Sequence, residues 1–246
     1  MFKNKNILIT GGTGSFGQKF VETIFKKYKP NKLIIFSRDE YKQSMMQNKF
    51  AKYENKLRFF IGDVRDMERL DFAMRDVDFV IHAAALKQVV SSEYNPMECV
   101  KTNIIGAENV IKSSIKNKVK KVIALSTDKA VNPVNLYGAT KLASDKIFVA
   151  ANNIVGRQKT RFSIVRYGNV FGSRGSVFPV FSKLLLNGSK YLPVTHKDMT
   201  RFLITLQEGV NFSINCFKIM IGGEILIAKS PSIKIINLVK AMRPNT

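Results

Sequence analysis

Residues 7–17 read Ile7-Leu8-Ile9-Thr10-Gly11-Gly12-Thr13-Gly14-Ser15-Phe16-Gly17, and the fold turns on them. Three apolar residues in a row, without polar alternation, suit a short strand buried on both faces. Gly11, Gly14 and Gly17 follow at intervals of three. Phe16, Phe20, Ile24 and Tyr28 then recur four apart, which predicts a helix over 15–28 with one apolar face. Strand, glycine turn and helix form the context in which such a run binds a dinucleotide. Glycine permits a tight turn and a close backbone approach, and the helix start offers free N–H groups to a pyrophosphate. A plain glycine-rich turn is the competing reading, and the flanking strand and helix weigh against it.

The same beat continues outward. Strands are expected at 33–36, 57–61, 79–81, 122–125 and 162–165, with helical stretches at 40–53, 66–75, 97–117 and 136–153 between them. Asn95-Pro96 suits the start of the third of these. Repeated strand–helix units predict an α/β fold, a Rossmann-like doubly wound parallel sheet whose ligands sit beyond the carboxyl ends of its strands. After residue 170 the beat changes. A loop over 172–176 leads to a helix near 177–187 and an irregular stretch over 188–202. A helix over 204–217, a turn and strand over 222–227 and a last helix over 232–242 complete the chain. The expected division is a dinucleotide-binding domain over 1–170 and a smaller substrate lobe over 171–246.

The hydrophobic fraction of 45% excludes wholesale disorder. Lys+Arg number 40 against 18 acids, a formal charge of +22. Nucleic-acid binding, attraction to anionic substrates or membranes, and dispersed surface lysine all fit that number. The basic runs are short and lie between apolar segments, and no nucleic-acid motif occurs, so no nucleic-acid partner is expected. Cys99 and Cys216 are too few for a disulfide framework and read as free thiols. No metal-ligand spacing is present. Neither a leader pattern nor a run of ~20 apolar residues is found. A cytoplasmic protein without membrane insertion is expected.

Candidate site residues follow from the strand tips. Gly11, Thr13, Gly14, Ser15, Phe16 and Gly17 would hold the pyrophosphate. Ser37 and Arg38 end the second strand, and an arginine there favours a 2′-phosphate, hence NADP over NAD. Asp63 and Val64 are placed for the adenine edge. Ala83, Ala84 and Ala85 are small enough for the backbone to lie along the cofactor. The fifth strand ends in Ser126-Thr127-Asp128-Lys129, and Tyr137 and Lys141 follow one helical turn apart. A phenol beside an ammonium ionises more readily and can take a proton from a sugar hydroxyl. Lys141 could hold the nicotinamide ribose, and Thr127 the reacting oxygen. A surface Tyr–Lys pair is common on its own, and the glycine motif and strand-tip position favour catalysis. His82 and His196 read as packing or solvent residues.

With these residues the chain resembles an extended short-chain dehydrogenase/reductase. Residues 125–146, LSTDKAVNPVNLYGATKLASDK, are similar to those of the inverting UDP-N-acetylglucosamine 4,6-dehydratases of pseudaminic acid and related polysaccharide pathways. So are Ser37-Arg38-Asp39-Glu40, Ala83-Ala84-Ala85-Leu86-Lys87 and Met199-Thr200-Arg201-Phe202. The resemblance implies that Tyr137 takes the O4 proton while C4 hydride passes to NADP⁺. It implies that Lys129 is the base at C5, that Asp128 is the acid at the C6 hydroxyl, and that C5 is inverted. Retaining relatives commonly carry glutamate where Lys129 stands. The resemblance also implies a UDP-hexosamine partner, with Lys87, Asn169, Arg174 and Arg201 as substrate-binding candidates, and a homo-oligomer paired through 97–117 and 136–153. Chains of this family usually run several dozen residues beyond the point where this one stops. A nucleotide-sugar 4-epimerase, which needs Tyr137 and Lys141 but not Asp128-Lys129, and a non-catalytic NADP-binding protein are the alternatives.

Overall fold

A computed structural model describes residues 1–173 and 175–243. Seven parallel strands form the main sheet: β1 (Asn6–Thr10), β2 (Lys32–Ser37), β3 (Leu57–Ile61), β4 (Phe79–His82), β5 (Lys121–Thr127), β6 (Arg161–Tyr167) and, after a short β7 (Asn169–Val170) and β8 (Thr200–Ile204), β9 (Ile225–Ile227). Their order is β3-β2-β1-β4-β5-β6-β9, which reverses direction between β1 and β4. Ile9 sits level with Ile35 on one side and Ile81 on the other.

The apolar strands serve two cores because side chains alternate across the sheet. Ile7 and Ile9 point to one face and meet Phe20 and Ile24 of α1 (Ser15–Lys27), with Val210 and Phe217 of α9 (Leu206–Ile219). Leu8 and Val80 point to the other and meet Leu70, Val110 and Phe148. These come from α3 (Met67–Ala73), α6 (Gly106–Lys116) and α7 (Leu136–Ile154). Each fully buried aliphatic or phenyl side chain contributes about 1.5–3 kcal/mol. Asp39 and Asp66 cap α2 (Glu40–Lys49) and α3, accepting from the N–H groups of Lys42 and Arg69 at 2.9 Å each.

The remaining helices are α4 (Val89–Tyr94), α5 (Pro96–Val100), α8 (Val177–Leu186), α9 (Leu206–Ile219) and α10 (Ile235–Met242). The helix expected over 97–117 is continuous from Pro96 to Lys116 but widens to a π-turn at Lys101–Ile105. The helix expected over 40–53 ends at Lys49 and passes into a 3₁₀ turn. Two expectations fail. Residues 200–202, read as irregular, and 204, read as the start of a helix, belong to β8, and the last helix begins at Ile235 because 232–234 form β10 (Ser232–Lys234). β10 pairs antiparallel with β8, and β8 runs parallel to β7. Segments this short become strands through their partners, which local pattern does not reveal. Residues 206–227, within the expected smaller lobe, return to the large sheet: α9 packs beside α1, and β9 pairs with β6. No described helix is long and apolar enough to cross a membrane.

Candidate active site

A cleft of about 850 Å³ opens at the carboxyl ends of the strands. Its floor is the turn after β1. Gly11 adopts φ +65°, and a Cβ there would stand 2.9 Å from the Ala84 backbone. Glycine is therefore required twice, for the left-handed conformation and for the close approach of the β1 and β4 loops. Gly14 precedes α1 in extended conformation and offers no side-chain cap, so the first N–H groups of the helix face the cleft without a side-chain acceptor. Thr13, Ser15 and Phe16 line this end. Gly17 does not: it lies in the first turn of α1, packed on the glycine turn, where a Cβ would collide with the Gly12 carbonyl oxygen. A narrow glycine cradle at a helix N-terminus fits a dinucleotide pyrophosphate.

Ser37, Arg38, Asp63 and Val64 border the next part, and Ala83, Ala84 and Ala85 form a wall. The Arg38 guanidinium lies 3.6 Å from Asp63 and is 55% exposed. Partial burial pushes the Asp63 carboxyl up. Hydrogen bonds from the Arg65 side chain and backbone, with the charges of Arg65 and Arg38, outweigh burial and hold it below the usual carboxylate range.

Several supporting residues escaped the sequence reading. Gln43 donates to the Ser37 carbonyl and hydroxyl and to the Phe60 carbonyl, tying the β2 and β3 tips together. Asn103, carried inward by the π-turn, accepts from the Leu86 N–H and donates to the Leu86 carbonyl, both at 2.9 Å, which clamps the loop after β4. Thr10 and His82 meet at 2.8 Å between the β1 and β4 tips. His82 is fully enclosed. Desolvation, then the nearby Lys141 charge, push it down to about 3. The unfolded chain therefore binds a proton near pH 6.5 that the native state refuses until about pH 3. This contribution to stability is present above 6.5 and lost as pH falls below it, by at most about 1.4 kcal/mol per pH unit. Urea unfolding across that range should show the slope, and His82→Asn should flatten it; equal slopes would remove His82 as the cause.

The catalytic candidates gather at the tips of β5 and β6. The Thr127 hydroxyl donates to Asp128 Oδ1 at 2.9 Å. Lys129 Nζ donates to the same oxygen at 3.0 Å and to Asn169 Oδ1 at 3.1 Å. Thr127, Lys129, Tyr137, Lys141, Asn169 and Lys87 all line the cleft. Asp128, expected among them, is not one of the residues lining the cleft; its side chain, 29% exposed, accepts from Thr127 and Lys129. Arg201 sits on β8, outside the cleft, with its guanidinium donating to the Thr200 carbonyl. Arg174 lies outside the described residues.

The expected effect of Lys141 on Tyr137 is overturned. Burial pushes the Tyr137 phenol up to about 12; a hydrogen bond with Thr127 opposes this, and the charge of Asp128 reinforces it. Lys141 runs inward instead and donates to the Leu125 carbonyl at 2.8 Å. Its pKa is lowered by burial, partly offset by Asp145. Asp145, also missed, is 1% exposed and binds Ser126 Oγ at 2.9 Å and the Arg166 guanidinium at 2.8 Å. Tyr167, at the end of β6, shares the cleft, and its phenol is pushed up by burial and by Tyr137.

A glycine cradle, a Tyr–Lys helix and an acid–amine pair on one doubly wound sheet define an enzyme of the short-chain dehydrogenase/reductase type. The family described as "Polysaccharide biosynthesis protein" matches residues 7–245, and the chain belongs to it. It is 65% identical over 245 residues to the UDP-N-acetylglucosamine 4,6-dehydratase (inverting) of Campylobacter jejuni strain 81-176, covering 100% of this chain and 73% of that one. It is 46% identical to the UDP-glucose 4-epimerase of Rickettsia canadensis, covering 99% and 71%. The X-ray structure of Pen from Bacillus thuringiensis superposes with a TM-score of 0.94 at 42% identity, covering 98% and 74%. DesIV of Streptomyces venezuelae, a dTDP-glucose 4,6-dehydratase solved with NAD and TYD, shares the fold at TM-score 0.85 and 22% identity, covering 96% and 80%.

Proposed function

We propose that this chain catalyses the NADP-dependent 4,6-dehydration of UDP-N-acetylglucosamine with inversion at C5, giving a UDP-4-keto-6-deoxy-L-hexosamine. The observation that carries the reading is the Lys129–Asn169 pair on the same cleft as Tyr137, with Asp128 held against Lys129 Nζ at 3.0 Å. Exchange of configuration at C4 needs a phenol; loss of water from C5 and C6 needs a second acid and base.

The dinucleotide, when bound, supplies the hydride acceptor for C4, the hydride donor for C6 and a positive charge. Gly11 to Phe16 would hold its pyrophosphate and Arg38 its 2′-phosphate. Tyr137 Oη takes the O4 proton, with Thr127 holding the oxygen. The C4 ketone acidifies C5–H, and unprotonated Lys129 Nζ accepts that proton. Asp128, beside it, protonates the C6 hydroxyl, which leaves as water. A proton delivered to the opposite face of C5 inverts that centre. Hydride leaves C4 and returns to C6, so there is no net oxidation. Lys87 and Asn169 are placed to hold substrate oxygens, and Arg174 and Arg201 enter the proposal only as cations of the smaller lobe.

Incubation in deuterated water should give a product lighter by one water, with deuterium at C5 by mass spectrometry. Unchanged UDP-N-acetylglucosamine with stoichiometric protein and NADP would refute the reading. The epimerase reading is favoured by the Rickettsia similarity. The pair Asp128→Asn/Lys129→Met separates the two, since only epimerisation would survive it. For the cofactor, Arg38→Ala should weaken NADP binding about 10–100-fold and leave NAD binding nearly unchanged, the value of a charge-assisted bond to phosphate. Equal losses for both would assign Arg38 no role in that choice. The proposal includes a cytoplasmic homo-oligomer paired through 97–117 and 136–153, where Met97 and Ile105 are exposed; sedimentation equilibrium tests it.

A further inference from the structure

We infer that the face opposite the cleft docks on an anionic lipid bilayer. All seven strands of the main sheet are parallel, so their amino ends, and the helix ends that feed them, converge on one side. The segments there are 1–5, 26–32, 50–57, 74–78, 116–121, 155–161 and 218–224. They hold seventeen lysines and arginines against four acids. Segments 11–14, 38–40, 62–66, 83–88, 128–135, 168–176 and 228–231, which follow the carboxyl ends of the same strands, hold six against five. Dispersed surface lysine would not divide this way. Asp78 is engaged by Lys5 and Lys120, and Asp71 nearby by Lys116. Lys3, Lys26, Lys27, Lys29, Lys118 and Lys159 are among the exposed cations.

Apolar side chains stand among these charges. Ile154, Ile219 and Ile221 are 68%, 63% and 78% exposed at the ends of α7 and α9. Gly222, next to Ile221, brings the two helix ends together: a Cβ there would stand 2.6 Å from Asn152, two residues before Ile154, and 2.7 Å from Arg161. Lys121, bound to the Phe217 carbonyl at 2.7 Å, borders the same patch, and a cleft of about 490 Å³ floored by Phe79 opens between Lys118, Lys121 and Arg161. Exposed isoleucines amid lysines match the interface of an anionic bilayer, with phosphates on the ammonium groups and the aliphatic tips at headgroup depth. A second copy of this chain would bring the same charge and repel. The orientation leaves the active-site cleft facing the solvent.

Co-sedimentation of the full chain with vesicles of phosphatidylcholine, alone or with one third phosphatidylglycerol, tests this. Binding should require phosphatidylglycerol and weaken with salt. Each basic residue at such a surface contributes about a fivefold factor. The variant Lys118→Glu/Lys159→Glu/Lys218→Glu should lose at least about tenfold, with NADP binding kept as evidence of folding. Lys183→Glu/Lys190→Glu/Lys197→Glu, an equal charge change on the smaller lobe, should lose little. Equal loss in both variants, no binding at low salt, or tighter binding to duplex DNA than to the vesicles would each overturn the inference. The DNA outcome would assign the face to nucleic acid.

Discussion

Tyr137→Phe should turn over UDP-N-acetylglucosamine about 10²–10⁴ times more slowly than the parent while binding NADP and unfolding at nearly the same temperature. The substitution removes one oxygen from the cleft and leaves the ring to pack. That loss corresponds to about 3–5 kcal/mol of barrier, the share of a positioned proton-transfer group. The site's electrostatics set this expectation. In the free protein the phenol is held up at about 12 by burial and by Asp128, so it carries its proton at neutral pH. Lys141 spends its charge against the Leu125 carbonyl and not on the phenol. The positive charge brought by the dinucleotide is what would let Tyr137 act as a base. A variant retaining more than a tenth of parental kcat would remove Tyr137 from the chemistry.

Asp145→Ala should destabilise the fold by about 3–5 kcal/mol, the cost of stranding one member of a buried ion pair. At this chain length that is a fall in Tm of roughly 6–20 °C. Asp145 is the sole carboxylate meeting Arg166 and Ser126 between α7, β5 and β6 among the described residues, and the Arg166 side chain is only 12% exposed. Its loss leaves a desolvated guanidinium under the catalytic strand tips. It also removes the charge that partly sustains protonated Lys141, so the Lys141 pKa falls further. Pairing Asp145→Leu with Arg166→Met should recover most of the stability, because no unpaired charge remains. Calorimetry decides it; a fall in Tm below a few degrees for Asp145→Ala would show that the pair is not desolvated.

Much of the site was legible because strand-tip chemistry is local. Gly11, Gly14, Arg38, Asp63, the Ala83–Ala85 wall and Lys129 lie within a few residues of a strand end, Tyr137 and Lys141 lie in the first turns of the helix after β5, and all line the cleft. The misses share one cause. Asn103, Gln43, Asp145 and Tyr167 sit inside or beside regular elements, where pattern reads them as ordinary surface or core. Only packing shows that they reach across to another segment. Arg201 shows the converse: its neighbourhood in sequence pointed to the substrate, yet it lies on β8, paired with β10, and is not among the residues lining the cleft. The Tyr–Lys pair was correct in spacing and wrong in its electrostatics, since an i, i+4 relation sets a common helix face and not where a long side chain finds its acceptor.

The sequence by itself determined the doubly wound sheet, the dinucleotide turn and the identity of the strand-tip residues. Each is written in short-range periodicity and in glycines that only one backbone path allows. Tertiary structure alone decided the ionisation of Tyr137, the burial of Asp145, the return of β9 to the sheet and the gathering of scattered lysines on one face. These depend on desolvation and on contacts between segments far apart in the chain, and neither is encoded in any local stretch.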